Sequence, residues 1–227
     1  MSSAPGGRHG PHVLVDDVEH PEPSVDDRHH LDRVLRLRDG DPLTVGDGCG
    51  RWRPCRWGSM VESVGDIESV PPPAPRLSVA FALIKGGRPE LVVQKLVELG
   101  IDDIRPFRAE HSVVQWDVAR ADKNHTRLER VAREAVMQCR RAWLPTVYPV
   151  VDFGVVAALP FAARADMGGT TISMANPTVL VGPEGGWSDV ERAVGLPVVG
   201  LSTAVLRAET AAIAAGVLLA TARDASE

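Results

Sequence analysis

The stretch "TVLVGPEGGWSDVE", residues 178–191, decides the fold. A short apolar run ends abruptly in a proline and three glycines. Beyond the last glycine, Ser188 stands three residues before Glu191, the spacing of a capping box, in which the two residues close a helix start reciprocally. The reading is strand, glycine-rich turn, helix, the repeating unit of an α/β domain with a mainly parallel sheet. In such sheets ligands sit beyond the carboxyl ends of the strands. Gly182–Gly186 occupy that place, and glycine lets a backbone pass close to a ligand. A tight strand-to-helix turn with no ligand is the plain alternative. A phosphate-binding GxxxxGK[ST] pattern is absent, and so is a dinucleotide GxGxxG after a first strand.

Downstream, "PVVG" at 197–200 reads as another strand, and "LSTAVLRAETA" at 201–211 leads into an Ala-rich helix at 208–223. Arg207, Glu209 and Thr210 open that otherwise apolar helix. They form either a solvent-facing helix start, where the dipole favours Glu, or the second wall of a pocket. Two loops at adjacent strand ends would build one pocket. Upstream, "LSVAFALI" at 77–84 is a near-continuous apolar run, as expected of a strand buried on both faces. "PELVVQKLVELG" at 89–100 reads as a helix closed by Gly100, and "IRPF" at 104–107 as a strand. Residues 119–141 read as a long helix with Leu128, Val131, Ala135 and Val136 on one side, and "TVYPVV" as one strand.

"VPPPAPRL" at 70–77 holds four prolines and marks a linker. It divides the chain into residues 1–72 and 78–227. The first part starts with residues 1–11, rich in Gly, Pro, Ser and His and expected to be loose. "HVLV" at 12–15 reads as a strand, and Asp-Gly pairs at 39–40 and 47–48 mark tight turns. Together these describe a small β-rich module with one short helix near His29–Leu35.

The formal net charge is -5, so any nucleic-acid affinity must come from local clusters. Two exist: seven Arg against four Asp from Arg28 to Arg56, and seven Lys or Arg against three acids from Arg120 to Arg141. Both suit phosphate contact, although a solvated helix face explains part of the second. Aromatic content of 4% argues against a broad stacking platform for single strands. The three cysteines, Cys49, Cys55 and Cys139, have neither a disulfide-framework nor a zinc spacing, and suit a reducing, cytoplasmic setting. No secretory h-region and no membrane-length apolar run is present.

Five blocks taken in order carry a family resemblance. They are "HHLDRVLRLRDGD" (29–41), "LIKGGRPELVVQKLVELGIDDIRPF", "EAVMQCRRAWLP", "VGPEGGWSDVE" and "VLRAETA". From about His12 to Ala222 the chain resembles the SPOUT superfamily of methyltransferases, and within it the RsmE type, the 16S ribosomal RNA (uracil-N3)-methyltransferases. The resemblance implies a trefoil-knot methyltransferase domain behind a smaller PUA-like β-barrel domain, S-adenosyl-L-methionine as cofactor, a homodimer, and 16S rRNA or the 30S subunit as partner, with no metal and no membrane. It departs at Met137, where relatives carry an acidic residue, and at His111 and Gln115, where basic residues are common.

Under the resemblance, the cofactor would meet Gly182, Pro183, Glu184, Gly185, Gly200, Leu201, Leu206 and Thr210, with apolar walls from Leu180 and Val205. Arg207 would bind a uracil oxygen or a phosphate. Glu209 would act as base, orient Arg207, or cap the helix. RNA would be held by His30, Arg33, Arg36, Arg38, Lys85, Arg133 and Arg140. The rivals are a ribose 2′-O-methyltransferase of the same superfamily and a non-enzymatic rRNA-binding assembly factor.

Overall fold

The computed structural model describes Pro5, residues 10–86, 88–114 and 116–226. Most of the N-terminal segment expected to be loose, together with Gln115, lies outside the described residues. Two compact units divide the chain: residues 1–72 with 133–144, and residues 73–132 with 145–227. Among the described residues no helix is long and apolar enough to cross a membrane.

The first unit is a five-stranded sheet with a short helix. Strand β1 (His12–Leu14) runs parallel to β2 (Pro42–Gly46). Antiparallel to β2 lies β3 (Arg51–Arg56), which also pairs with β4 (Glu62–Ser63) and β5 (Glu68–Ser69). Among the described residues the strands form the open path β1-β2-β3-β4, with β5 on β3. Helix α1 (Val25–His29) starts earlier than the sequence suggests, because the Ser24 hydroxyl accepts from the Asp27 backbone N–H at 3.1 Å. It continues through His30–Val34 as a wider turn in which Leu35 N–H reaches the His30 carbonyl. That turn buries Leu31 against Val13, Leu43, Val45 and Trp57. Met137 packs on the same cluster, so the residue that stands out from the family pattern is a core contact here.

The second unit is a seven-stranded, wholly parallel sheet. Its strands are β6 (Ser78–Ala82), β7 (Asp103–Arg108), β8 (Thr146–Val147), β9 (Val151–Asp152), β10 (Ala162–Thr170), β11 (Thr178–Val181) and β12 (Val198–Val199). The order across the sheet is β12-β10-β11-β6-β7-β8, with β9 also on β7. Every residue of β6 and β11 is buried, which explains their unbroken apolar runs. Helix α2 (Arg88–Glu98) ends where Gly100 takes φ +84°, and Gly100 and Ile101 donate back to the Val97 and Leu96 carbonyls. Of helix α3 (Val118–Cys139), residues 118–132 belong to this unit and bury Leu128 and Ala132, with Val131 only half-buried; residues 133–139 belong to the first unit and bury Ala135 and Val136.

"TVYPVV" is two short strands, β8 and β9, both on β7. Pro149 between them lacks the N–H that a continuous ladder would need. Helices α4 (Phe153–Ala157), α5 (Asp189–Ala193) and α6 (Ala208–Asp224) complete the unit. Helix α6 approaches α2 closely because its buried face is Ala212, Ala215 and Gly216; a Cβ on Gly216 would sit 2.8 Å from Leu96.

Candidate active site

The glycine-rich turn after β11 is held from three sides. Trp187 is buried; its indole N–H donates to the Ala165 carbonyl at 2.9 Å, and its ring stacks on Phe107 with centroids 6.1 Å apart. Ser188 and Glu191 form the predicted capping box at the start of α5. The Glu191 carboxylate is buried and does double duty, accepting from the backbone N–H of Ser188 and of Glu110, each at 2.9 Å. His111, on the loop that Glu191 fastens, lies 3.2 Å by its Nδ1 from the Gly186 carbonyl.

Between β11 and β12 stands β10, so the two expected loops are not at adjacent strand ends. It carries a third wall. Ala165 and Thr170 of β10 both pair with Val199, and the residues between them bulge out of the ladder. The bulge rests on a glycine contact: a Cβ on Gly169 would meet the Val199 carbonyl carbon at 2.3 Å. Arg192 pairs with Asp166 on the bulge, and the buried Arg164 side chain donates to the Glu191 and Arg192 carbonyls.

These three segments and the start of α6 enclose a cavity of about 200 Å³ at the carboxyl ends of the strands. The bulge contributes Ala165, Asp166 and Met167; the glycine turn contributes Gly182, Pro183, Glu184, Gly186 and Trp187. Leu201, Ser202, Ala204, Val205 and Leu206 form the far wall, with Ala208 and Ala211 of α6 behind them.

Six of the ten residues expected at the cofactor therefore line one cavity: Gly182, Pro183, Glu184, Leu201, Val205 and Leu206. The other four stand elsewhere. Leu180 is fully buried in the core beneath the turn. Gly185 is at the outer tip, against His111, and Gly200 packs against Gly169. Thr210 is exposed on the first turn of α6. Val205 is not an enclosed wall, being 87% exposed at the rim.

Arg207 is the exposed N-cap residue of α6 and makes no side-chain cap. Glu209 is 14% exposed and turned toward Arg88, a residue that the sequence did not single out. Arg88 Nη1 lies 3.5 Å from Glu184 Oε1 and 3.5 Å from Glu209 Oε1. One guanidinium thus ties the glycine turn to the start of α6. The remaining Glu209 oxygen is buried and accepts no hydrogen bond among the described residues. No sequence signal marks Arg88, since an Arg at a helix start reads as solvated.

Among the RNA-contact candidates, His30, Arg33, Arg36 and Arg38 are exposed on one short stretch of the first unit, and Lys85 is exposed beyond β6. Arg133 is used by the fold: it donates to both Asp27 carboxylate oxygens, at 2.7 and 3.0 Å, and to the Leu14 carbonyl. Hydrogen bonds and charge from Arg133 hold the Asp27 carboxyl below its usual range despite the opposing effect of burial. Arg140 is half-buried beside His12. The three cysteines are free. Among the described residues no group of three or more His, Cys, Asp or Glu is arranged to hold a metal.

A parallel sheet with a cavity at its carboxyl edge, walled by a glycine turn and a helix start, is the α/β arrangement in which ligand sites form. The chain belongs to the RNA methyltransferase family, whose domain model matches residues 71–220. It is 34% identical over 218 residues to the ribosomal RNA small subunit methyltransferase E of Mycobacterium bovis, covering 84% of this chain and 82% of that one. The protein of the same name from Synechocystis is 32% identical over 209 residues, covering 81% of this chain and 67% of that one. A crystal structure of the Neisseria gonorrhoeae ribosomal RNA small subunit methyltransferase E bound to S-adenosyl methionine superposes with a TM-score of 0.74 at 25% identity, covering 92% of this chain and 95% of that one.

Proposed function

We propose that this protein transfers a methyl group from S-adenosylmethionine to uracil N3 of one uridine in 16S ribosomal RNA. The observation that carries the reading is the cavity at the strand ends, with Arg88 joining Glu184 and Glu209 at its edge, in a chain of the RNA methyltransferase family. The residues fit the cofactor. Leu201, Leu206, Ala208 and Ala211 give apolar surface for a purine, and the turn at Gly182–Pro183 gives backbone at close range. When bound, the cofactor supplies an electrophilic methyl group.

The chain's own residues then have separable tasks. The three walls fix the approach geometry, while the cavity stays open to solvent at the Val205 rim. Arg88 holds Glu184 and Glu209 together, so the turn and the helix start act as one edge. Arg207, exposed at the mouth with a fixed charge, stabilises the negative charge that develops on a uracil oxygen as N3 gives its proton to solvent water. With its carboxylate engaged by Arg88, Glu209 serves to position this edge. The first unit acts as a PUA-like RNA-binding module through His30, Arg33, Arg36 and Arg38, supported by its β-rich path and the exposed cationic stretch. The resemblance of the five sequence blocks implies the trefoil knot and the homodimer, and the cysteine pattern suits a cytoplasmic setting.

The test is incubation of the purified protein with methyl-labelled S-adenosylmethionine and small ribosomal subunits, followed by nucleoside digestion. The label is expected in N3-methyluridine. Label in a ribose-methylated nucleoside would reassign the reaction, and absence of transfer would refute it.

A further inference from the structure

The same unit holds a second and larger cavity of about 330 Å³, beyond the end of β6. Its polar wall is Lys85, Glu90, Arg120, Asn124 and Arg127, and Trp116 adds an aromatic surface. We propose that it receives one unstacked nucleotide of the RNA substrate, an inference that rests on the RNA methyltransferase reading above.

The lining asks for three things at once. Lys85, Arg120 and Arg127 set three positive charges against the single carboxylate of Glu90, which favours an anionic group such as a phosphate. Glu90 Oε1 forms an ion pair with Arg127, 2.9 Å from its Nε, while Glu90 Oε2 is buried and accepts nothing among the described residues. A buried acceptor calls for a donor, so the occupant must bring an N–H or O–H as well as a negative charge. A bare anion would satisfy the cations and leave Glu90 facing like charge. Trp116, 7% exposed, contributes the small aromatic part of the lining that a base could touch. A nucleotide carries phosphate, N–H donor and π-face together. The volume lies at the lower end of small-molecule sites, roughly 300–1,000 Å³, and so admits one nucleotide and no duplex.

The position fits as well. Arg88 and Glu90 sit two residues apart on the first turn of α2, one reaching Glu184 and Glu209 at the first cavity, the other lining the second. The loop that holds His111 against Gly186 runs on to Val113 and Val114 in the wall of the second cavity. The start of α2 and this loop therefore link the second cavity to the residues that wall the first, through Arg88 and His111.

The experiment uses the full chain, saturating S-adenosylmethionine, and a small-subunit rRNA transcript carrying 4-thiouridine. Ultraviolet cross-links, mapped by mass spectrometry, are expected at cavity-lining residues within 84–128. Glu90→Gln, which keeps the side-chain shape, and Arg120→Ala, at an exposed position, should each raise KM for RNA roughly ten-fold or more. Arg120→Ala should also reduce the salt slope of RNA binding by about one. Cofactor affinity, measured by calorimetry, should stay at the wild-type value in both. Should Glu90→Gln melt early, the cross-links and Arg120→Ala decide alone. Cross-links confined to residues outside 84–128, or a wild-type KM in a folded variant, would overturn the proposal while leaving methylation intact. A wild-type protein that neither binds the cofactor nor methylates RNA would overturn the functional reading and this proposal together.

Discussion

Gly182→Ala is the smallest change that reaches the first cavity, and its effect can be worked from contact distances. A Cβ on Gly182 would lie 2.9 Å from Trp187 Cε2 and 3.2 Å from Cδ2 and Cζ2. Comfortable carbon contacts are roughly 3.5–4.0 Å. The contacts fall on the body of the indole, so no flexible end can swing aside. The ring itself is held by its hydrogen bond to Ala165 and by Phe107 and Phe153, with centroids 6.1 and 5.6 Å away. Relief must come from a shift of a few tenths of an ångström in the ring or in the turn. Overpacking of this kind costs about 1–3 kcal/mol, or roughly 2–12 °C in melting temperature for a chain of this size. Because Gly182 and Trp187 both line the cavity, the same shift should weaken S-adenosylmethionine binding by about ten-fold. Thermal melting with and without cofactor, beside calorimetry, reads both effects. A variant with wild-type melting temperature and wild-type affinity would refute the claim that Trp187 braces the cofactor turn.

Arg207→Ala should leave cofactor and RNA affinity nearly unchanged and slow methyl transfer by about 100-fold or more, as when one transition-state donor is removed; single-turnover methylation at saturating RNA checks it, and a wild-type rate would leave Arg207 no catalytic role. Arg36→Glu with Arg38→Glu should weaken RNA binding and flatten its salt dependence without touching cofactor affinity, measured by filter binding across a salt series. His12 is buried, and burial first, then the charge of Arg140, lowers its pKa from 6.5 to about 4. The folded state therefore disfavours the imidazolium: the contribution is complete above pH 6.5 and is lost as pH falls toward 4, a change of about 3 kcal/mol. Denaturant unfolding across that window should show the loss, and His12→Gln should flatten it; an equal slope in both proteins would contradict it.

The parts of this fold that show in the sequence are those where local pattern and tertiary role agree. Strands β6 and β11 are buried on both faces and read as apolar runs, and the Ser188–Glu191 box declares the start of α5. Strand β10 did not show. "AARADMGGT" is Ala, Gly and charge, with little intrinsic preference for strand. It is a strand because neighbours pair with it on both sides, because Arg164 finds the Glu191 and Arg192 carbonyls, and because Gly169 admits β12 at close range. The same blindness hid the third wall of the cavity. Arg88 was hidden for another reason. Its role lies in a pairing with residues 96 and 121 positions away in sequence, which no local spacing encodes. The glycine turn and the α6 start were legible as candidate walls of one cavity, whereas the edge that joins them was not.

The most direct measurement is mass spectrometry of 16S rRNA from cells with and without the gene. Deletion should remove the methyl group from a single N3-methyluridine, and the purified wild-type protein with S-adenosylmethionine should restore it on the unmodified small subunit. An unchanged methyluridine in the deletion strain, or loss of a ribose methyl in its place, would contradict methylation of uracil N3 by this protein.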